Sequence, residues 1–180
     1  MMENPLEDQN LLIARSVFVR YGYQKTSMAD IARAMGISRQ ALYKKYGSKS
    51  DLFQAIGQSF LEMAEYHAQK LIANEAMDIR EKIETAFDLW SGQIIEELRS
   101  SPHSYEIMAV AEIEMGDKNN LALSSWLYDM IEKSEYCRTR DELDDVVVTL
   151  MHVAVGLFYK AKTRQQYKAL LKQAVRTIFK

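Results

Sequence analysis

Apolar side chains recur along this chain at intervals of three and four residues almost from end to end, the spacing that gathers them on one face of an α-helix. Leu11, Ala14, Phe18 and Tyr21 set a first helix from about Leu6 to Tyr21, stopped at Gly22. A second begins after Thr26 and Ser27, whose hydroxyls suit a helix N-terminus, with Asp30 three residues beyond Ser27 as in a capping box. It turns Met28, Ile31, Ala32 and Met35 inward and ends at Gly36, a residue that closes a helix in the left-handed conformation without steric penalty. Ile37 then plugs the turn, Ser38 caps again, and a third short helix runs through Leu42 to about Tyr46. Ser48 and Asp51 open a fourth, from about Lys49 to Ala73.

Further on, Ile79, Ile83, Phe87, Trp90, Ile94 and Leu98 recur at 4, 4, 3, 4 and 4, the clearest helical stripe in the chain. Ser101-Pro102 opens a helix containing Tyr105, Met108 and Met115, and another runs from about Asn119 to Glu135 with Leu123, Trp126, Leu127, Met130 and Ile131. Helices at Asp141 to about Lys162 and Gln165 to Phe179 complete the pattern. The fold class expected is therefore all-α. An N-terminal three-helix domain, residues 1–55, contains a helix-turn-helix at about 27–46, with Ile31, Ile37 and Leu42 as its shared core; residues 56–180 form a bundle of some six helices. Within that bundle the segment Val146 to Phe158 is apolar nearly all round and lies near the end of a small domain with few layers left to cover it. A second copy supplies the cover. The expected two-fold, four-helix interface comprises Val147, Leu150, Val153, Ala154, Gly156 and Leu157 with Tyr167, Leu171, Ala174 and Ile178.

Charge changes the picture only when the chain is divided. The 180 residues carry a net −2, but residues 1–55 hold eight Lys and Arg against five Asp and Glu, and the remainder fifteen against twenty. Between Arg20 and Ser50 stand seven basic residues and one acid, the distribution a polyanion-binding module needs. The start, MMENPLEDQN, lacks the basic and apolar regions of a signal peptide, and no apolar run approaches a membrane span, so an intracellular protein with no membrane partner is expected. Cys137, the one cysteine, reads as a bland thiol.

The third helix is short and polar on its outer face, at Arg39, Gln40, Tyr43 and Lys44, which suits the major groove of DNA better than a protein core. The run Thr26-Ser27-Met28-Ala29-Asp30-Ile31-Ala32, then Met35-Gly36-Ile37-Ser38, then Leu42-Tyr43 and Ser48-Lys49-Ser50-Asp51-Leu52, with Gly22-Tyr23 ahead of it, resembles the TetR family of bacterial one-component regulators over about residues 10 to 55. Lys45 and Tyr46 depart from it, standing where the family more often has an aromatic or His followed by Phe. The resemblance implies that Thr26 and Ser27 bind phosphate at the start of the second helix, that Ser38, Arg39, Gln40 and Tyr43 face the groove, and that Tyr43, Lys44, Lys45 and Lys49 touch the backbone.

It also implies a ligand pocket, for which Met63, Tyr66, His67, Phe87, Trp90, Met108, Met115, Trp126 and Met130 are the adaptable and aromatic candidates. Glu112 joins them because its neighbours Ala111 and Ile113 read as packed, and a buried acid wants a partner or a cationic ligand. Catalysis is not expected. The residues three before His67, His103 and His152 are Ala64, Ser100 and Thr149, so no Glu-x-x-His pair forms, and neither metal nor cofactor is called for. The function implied is a cytoplasmic bacterial regulator, nucleoid-associated when bound, that represses as a homodimer on palindromic double-stranded DNA until a small-molecule effector releases it. A vestigial reading head on an adaptor protein, or activation in place of repression, are the alternatives.

Overall fold

The computed structural model describes residues 8–134, 136, 137 and 139–180. Regular structure among the described residues is helical: α1 (Gln9–Tyr21), α2 (Met28–Met35), α3 (Arg39–Tyr46), α4 (Lys49–Ala73), α5 (Ile79–Trp90), a 3-10 turn at Gly92–Ile94, α6 (Ile95–Ser100), α7 (Ser104–Glu132), α8 (Arg140–Lys160) and α9 (Arg164–Ile178). The expected helix ends at Leu6 and Glu135 lie outside the described residues. No helix among them is long and apolar enough to cross a membrane.

Two expectations about elements change. The stripe from Ile79 to Leu98 is broken at Ser91-Gly92 into α5, a 3-10 turn and α6, and Asp88 and Tyr167 crowd the Gly92 backbone so closely that no β-carbon fits there. Conversely, the two helices expected around Met115 and Trp126 are one continuous α7, with Gly116 helical and buried in its middle.

The chain forms two compact units. The first extends to Met63 and takes in 97–117 as well, further than the expected 1–55. Its centre is Ala14, Phe18, Met28, Ile31, Leu42, Leu52 and Ile56, all buried, with the rings of Phe18, Tyr23 and Phe53 stacked or edge-on within 5.5 Å of one another. Residues 97–117 join it through polar contacts. Arg15 pairs with Glu97 at 2.7 Å, the Ser101 hydroxyl donates to Val19 O, the Gln24 N–H donates to Glu106 Oε1 at 2.6 Å, and Glu114 accepts from Ser50 Oγ and Gln54 Nε2 at 3.0 and 2.7 Å. Two residues expected in this core are not: Tyr21 is exposed, since the inward stripe of α1 ends at Phe18, and Ile37 is 37% exposed at the turn.

The second unit, 64–96 with 118–180, closes around Ile83, Phe87, Leu127, Ile131, Leu143, Val147, Leu150, Tyr167, Leu171 and Val175. A polar lock ties α5 to α9. Asp88 accepts both Nε and Nη2 of Arg164 at 2.8 Å and Lys168 Nζ at 3.2 Å, while the Tyr167 hydroxyl shares a hydrogen bond with Ser91 Oγ at 2.9 Å. These contacts, Arg164 foremost, hold the Asp88 carboxyl below its usual range, and burial pushes the Tyr167 phenol up to about 12.

This packing corrects the expected interface. Val147, Leu150, Ala154, Tyr167 and Leu171 are buried inside the protomer's own core and offer nothing to a second copy. The segment Val146 to Phe158 is not uniformly enclosed, because α8 turns those residues inward and leaves Val148, Val155 and Tyr159 about half exposed, at 52%, 50% and 53%. His152 and Gly156 share that outer face.

Candidate nucleic-acid interface

The turn between α2 and α3 is built from caps. Ser27 and Asp30 form the reciprocal capping box, with Asp30 N–H donating to Ser27 Oγ at 3.2 Å and Ser27 N–H to Asp30 Oδ2 at 3.1 Å. Gly36 closes α2 in the left-handed conformation, and its φ of 70° explains why a glycine stands there. Ser38 then accepts the Ala41 N–H at 3.1 Å and starts α3. Leu42, fully buried, is the anchor that holds α3 to the unit, with Tyr46 half-buried one turn on, and the other residues of the helix face outward.

At about 100° per residue, the exposed arc of α3 has Arg39 at one edge and Lys45 at the other, with Gln40 and Lys44 in the middle and Tyr43 beside Arg39. Ser38, Arg39, Gln40, Tyr43, Lys44 and Lys45 are all exposed. The Arg39 guanidinium stands 5.3 Å from the Tyr43 ring and reaches its hydroxyl at 3.5 Å, which restrains two long side chains toward one edge. Such an arc can supply paired donors, an amide and two cations to a polyanion.

Four expected contact residues have other engagements. Thr26 is 3% exposed and its hydroxyl donates to Gly22 O at 2.6 Å, so it braces the α1–α2 loop and cannot present that hydroxyl to phosphate; Ser27 is exposed, but its hydroxyl donates to Asp30 Oδ2 within the capping box. Lys49 Nζ donates to Tyr23 O at 2.8 Å and Thr26 O at 3.1 Å and lies 4.4 Å above the Tyr23 ring, making it a strut under the same loop. Lys45 Nζ pairs with Asp8 at 2.9 Å and lies over the Tyr46 ring. The ties of Lys49 to Tyr23 and of Lys45 to Asp8 do not show in the spacing of the sequence, because those partners belong to other elements.

With this geometry in view, the comparisons are specific. Residues 11–56 match the model of the bacterial regulatory proteins of the tetR family. The N-terminal head is thus similar to the helix-turn-helix of that family. An uncharacterized HTH-type transcriptional regulator of Bacillus subtilis, YezE, is 44% identical to the chain over 64 residues, 34% of this chain and about a third (33%) of that protein's length. Over its full length the chain shares the fold of a TetR transcriptional regulator from Legionella pneumophila, with a TM-score of 0.69, 18% identity and 100% of both chains covered. It also resembles the TetR family regulator CifR, solved with a 26-base-pair operator DNA, at a TM-score of 0.53 and 20% identity, covering 94% of this chain and 99% of that one.

Beyond the TetR-type head, the ten candidate pocket residues separate. Met63, Met108, Glu112 and Met115 belong to the first unit, and Tyr66, His67, Phe87, Trp90, Trp126 and Met130 to the second. In the first, Met115 fills the notch left by Gly57. Glu112 is exposed and its neighbour Ile113 is 83% exposed, so Glu112 is not a buried acid; Glu106 and Glu114 are the half-buried acids of α7, bonded to Gln24 and to Ser50 and Gln54. In the second unit Phe87 and Met130 are core, Trp90 and Trp126 meet edge to face at 5.5 Å, and Tyr66 and His67 lie beside each other near the surface of α4.

Proposed function

We propose that this protein is a cytoplasmic, sequence-specific DNA-binding transcriptional regulator that acts as a homodimer on a palindromic operator and is released from it by a small-molecule effector. The observation that carries the reading is the exposed arc of α3, where Arg39, Gln40, Tyr43 and Lys44 project from a helix held by the buried Leu42 and capped at both ends, within the region that matches the TetR family. Arg39 and Gln40 have the chemistry to pair with guanine and adenine in the major groove, while Tyr43 and Lys44 are suited to backbone phosphates. The operator complex of CifR, a structure of the same fold, supports this use of the head.

Homodimerisation is supported by the half-exposed Val148, Val155 and Tyr159 along α8, beside Gly156, where nothing within 4 Å opposes close approach. Two heads about 34 Å apart read successive turns of one DNA face, which is why the operator is palindromic. For the effector, the aromatic side chains Trp90 and Trp126 of the second unit supply a surface on which an apolar or cationic small molecule packs.

Fluorescence anisotropy of the purified protein on duplexes from the DNA flanking its own coding region, against a random duplex and across a salt series, tests the reading. Binding to one duplex is expected to exceed random DNA by about a thousandfold or more and to weaken steeply with salt. Arg39→Ala is expected to cost about tenfold or more and to relax the preference at one base position, whereas Lys44→Ala weakens both duplexes alike. Equal affinity for all duplexes, unchanged in both variants, would exclude the head as a reader.

A further inference from the structure

We infer that Asp8 is an electrostatic brake on DNA binding: it holds Lys45, at the edge of the exposed arc of α3, and a backbone phosphate must displace it. The inference rests on the DNA-binding reading of the head and adds to it a residue outside the helix-turn-helix. Asp8 is the N-cap of α1, its Oδ1 accepting the Asn10 N–H at 2.8 Å, and this fixes the carboxylate in place. Its second oxygen, Oδ2, accepts Lys45 Nζ at 2.9 Å, and the same ammonium lies 4.9 Å from the centre of the Tyr46 ring. The two residues are thirty-seven apart in sequence, so the pair joins the beginning of α1 to the last turn of α3.

Both side chains remain partly open to solvent, at 49% for Lys45 and 35% for Asp8. An exposed pair of this kind is weak and exchangeable, so it does not remove Lys45 from the binding face. It changes what the contact yields. A lysine that meets phosphate from solvent releases a counterion condensed on the DNA, and that release is the source of affinity and of salt dependence. When Lys45 leaves Asp8 for a phosphate, the abandoned carboxylate stays fixed at the helix cap, recruits a cation of its own and lies close to the DNA's negative charge. The exchange therefore gains little, and Lys45 serves as a poised contact where Lys44, one residue earlier and in the middle of the arc, serves as a full one. Such a brake keeps a repressor from lingering on random sequence, because it acts on the phosphate contacts that all DNA shares.

The test is a double-mutant cycle by anisotropy on the full chain, using wild type, Asp8→Asn, Lys45→Met and the double variant, on the operator-containing duplex and on a random one, from about 50 to about 300 mM salt. Asparagine caps a helix as well as aspartate does, so Asp8→Asn removes the charge and keeps α1, which a matched melting curve verifies. Asp8→Asn is expected to tighten binding to both duplexes about three- to fivefold at the lowest salt and to steepen the log–log salt slope by about 0.9, and to change affinity less than about twofold once Lys45 is methionine. An equal gain with and without Lys45 would reduce Asp8 to a distant like charge and overturn the brake, as would no gain in either background. Wild-type binding reports separately on the head itself. If the wild type and all variants fail to bind any duplex, the DNA-binding reading falls and takes the brake with it.

Discussion

Gly22 meets three separate demands. Its N–H caps α1 on Phe18 O at 2.8 Å, its carbonyl accepts the Thr26 hydroxyl, and its φ of 83° with ψ of 154° lies where L side chains are strained. A β-carbon there would also meet Glu106 Oε2 at 2.7 Å and His103 Nδ1 at 2.9 Å. Gly22→Ala is therefore expected to destabilise the protein by about 1–3 kcal/mol in urea unfolding, and a variant as stable as wild type would show the loop free to adopt another path. That Gly22 ends a helix was legible from the sequence, since it follows an apolar stripe and precedes a polar turn. That Glu106 and His103 close over it was not, because they stand more than eighty residues away. Thr26 shows the same division: its hydroxyl suits either a phosphate or a carbonyl, and only the position of Gly22 O decides between them.

At the level of elements, α2 and α3 begin and end, and α4 begins, where caps and glycines place them, whereas α5 and α6 do not follow the periodicity that predicts a single helix. Periodicity places Ile94 on the inward stripe, but Ile95 is the residue buried with Leu98, so the break shifts the inward face by one residue. Beside the break Asp88 is held by Arg164 and Lys168 from α9. Asp88→Asn is expected to cost about 1–2 kcal/mol, since Arg164 and Lys168 are both partly solvated. The pH dependence follows from the sign of the shift. The carboxyl is held below its unfolded range, so its stabilisation is complete above that range and is lost as pH falls through the depressed value; in urea unfolding the advantage of wild type over Asp88→Asn is expected to be full at neutral pH and to vanish in acid, where the two converge. Tyr167 acts at the other end: with its phenol raised to about 12, its contribution holds below pH ~10 and is lost as pH rises toward 12. Spectrophotometric titration of Tyr167→Phe against wild type, with one fewer phenol ionising together with alkaline unfolding, checks this.

For the whole molecule, α8 has one face buried in the core and one left half exposed, the latter being where the proposed dimer would form. Leu150→Ala, in the core, is expected to destabilise the protomer by about 2–5 kcal/mol. Val155→Arg, on the half-exposed face, is expected to leave the far-ultraviolet spectrum unchanged and to shift sedimentation from dimer to monomer, with loss of the tight operator complex; a dimeric Val155→Arg would place the interface elsewhere. The sequence by itself determined the helical class, the caps and turn of the head, the outward arc of α3 and the TetR resemblance, because those features rest on residues within one or two helical turns of one another. Only the tertiary structure decided that Lys49 braces a loop, that Lys45 answers to Asp8, that Glu112 is exposed while Glu114 meets Ser50 and Gln54, and which side of α8 is left open. Each of these depends on which distant element arrives opposite a side chain, and apolar spacing along one helix is the same whether its partner comes from the same chain or from a second copy.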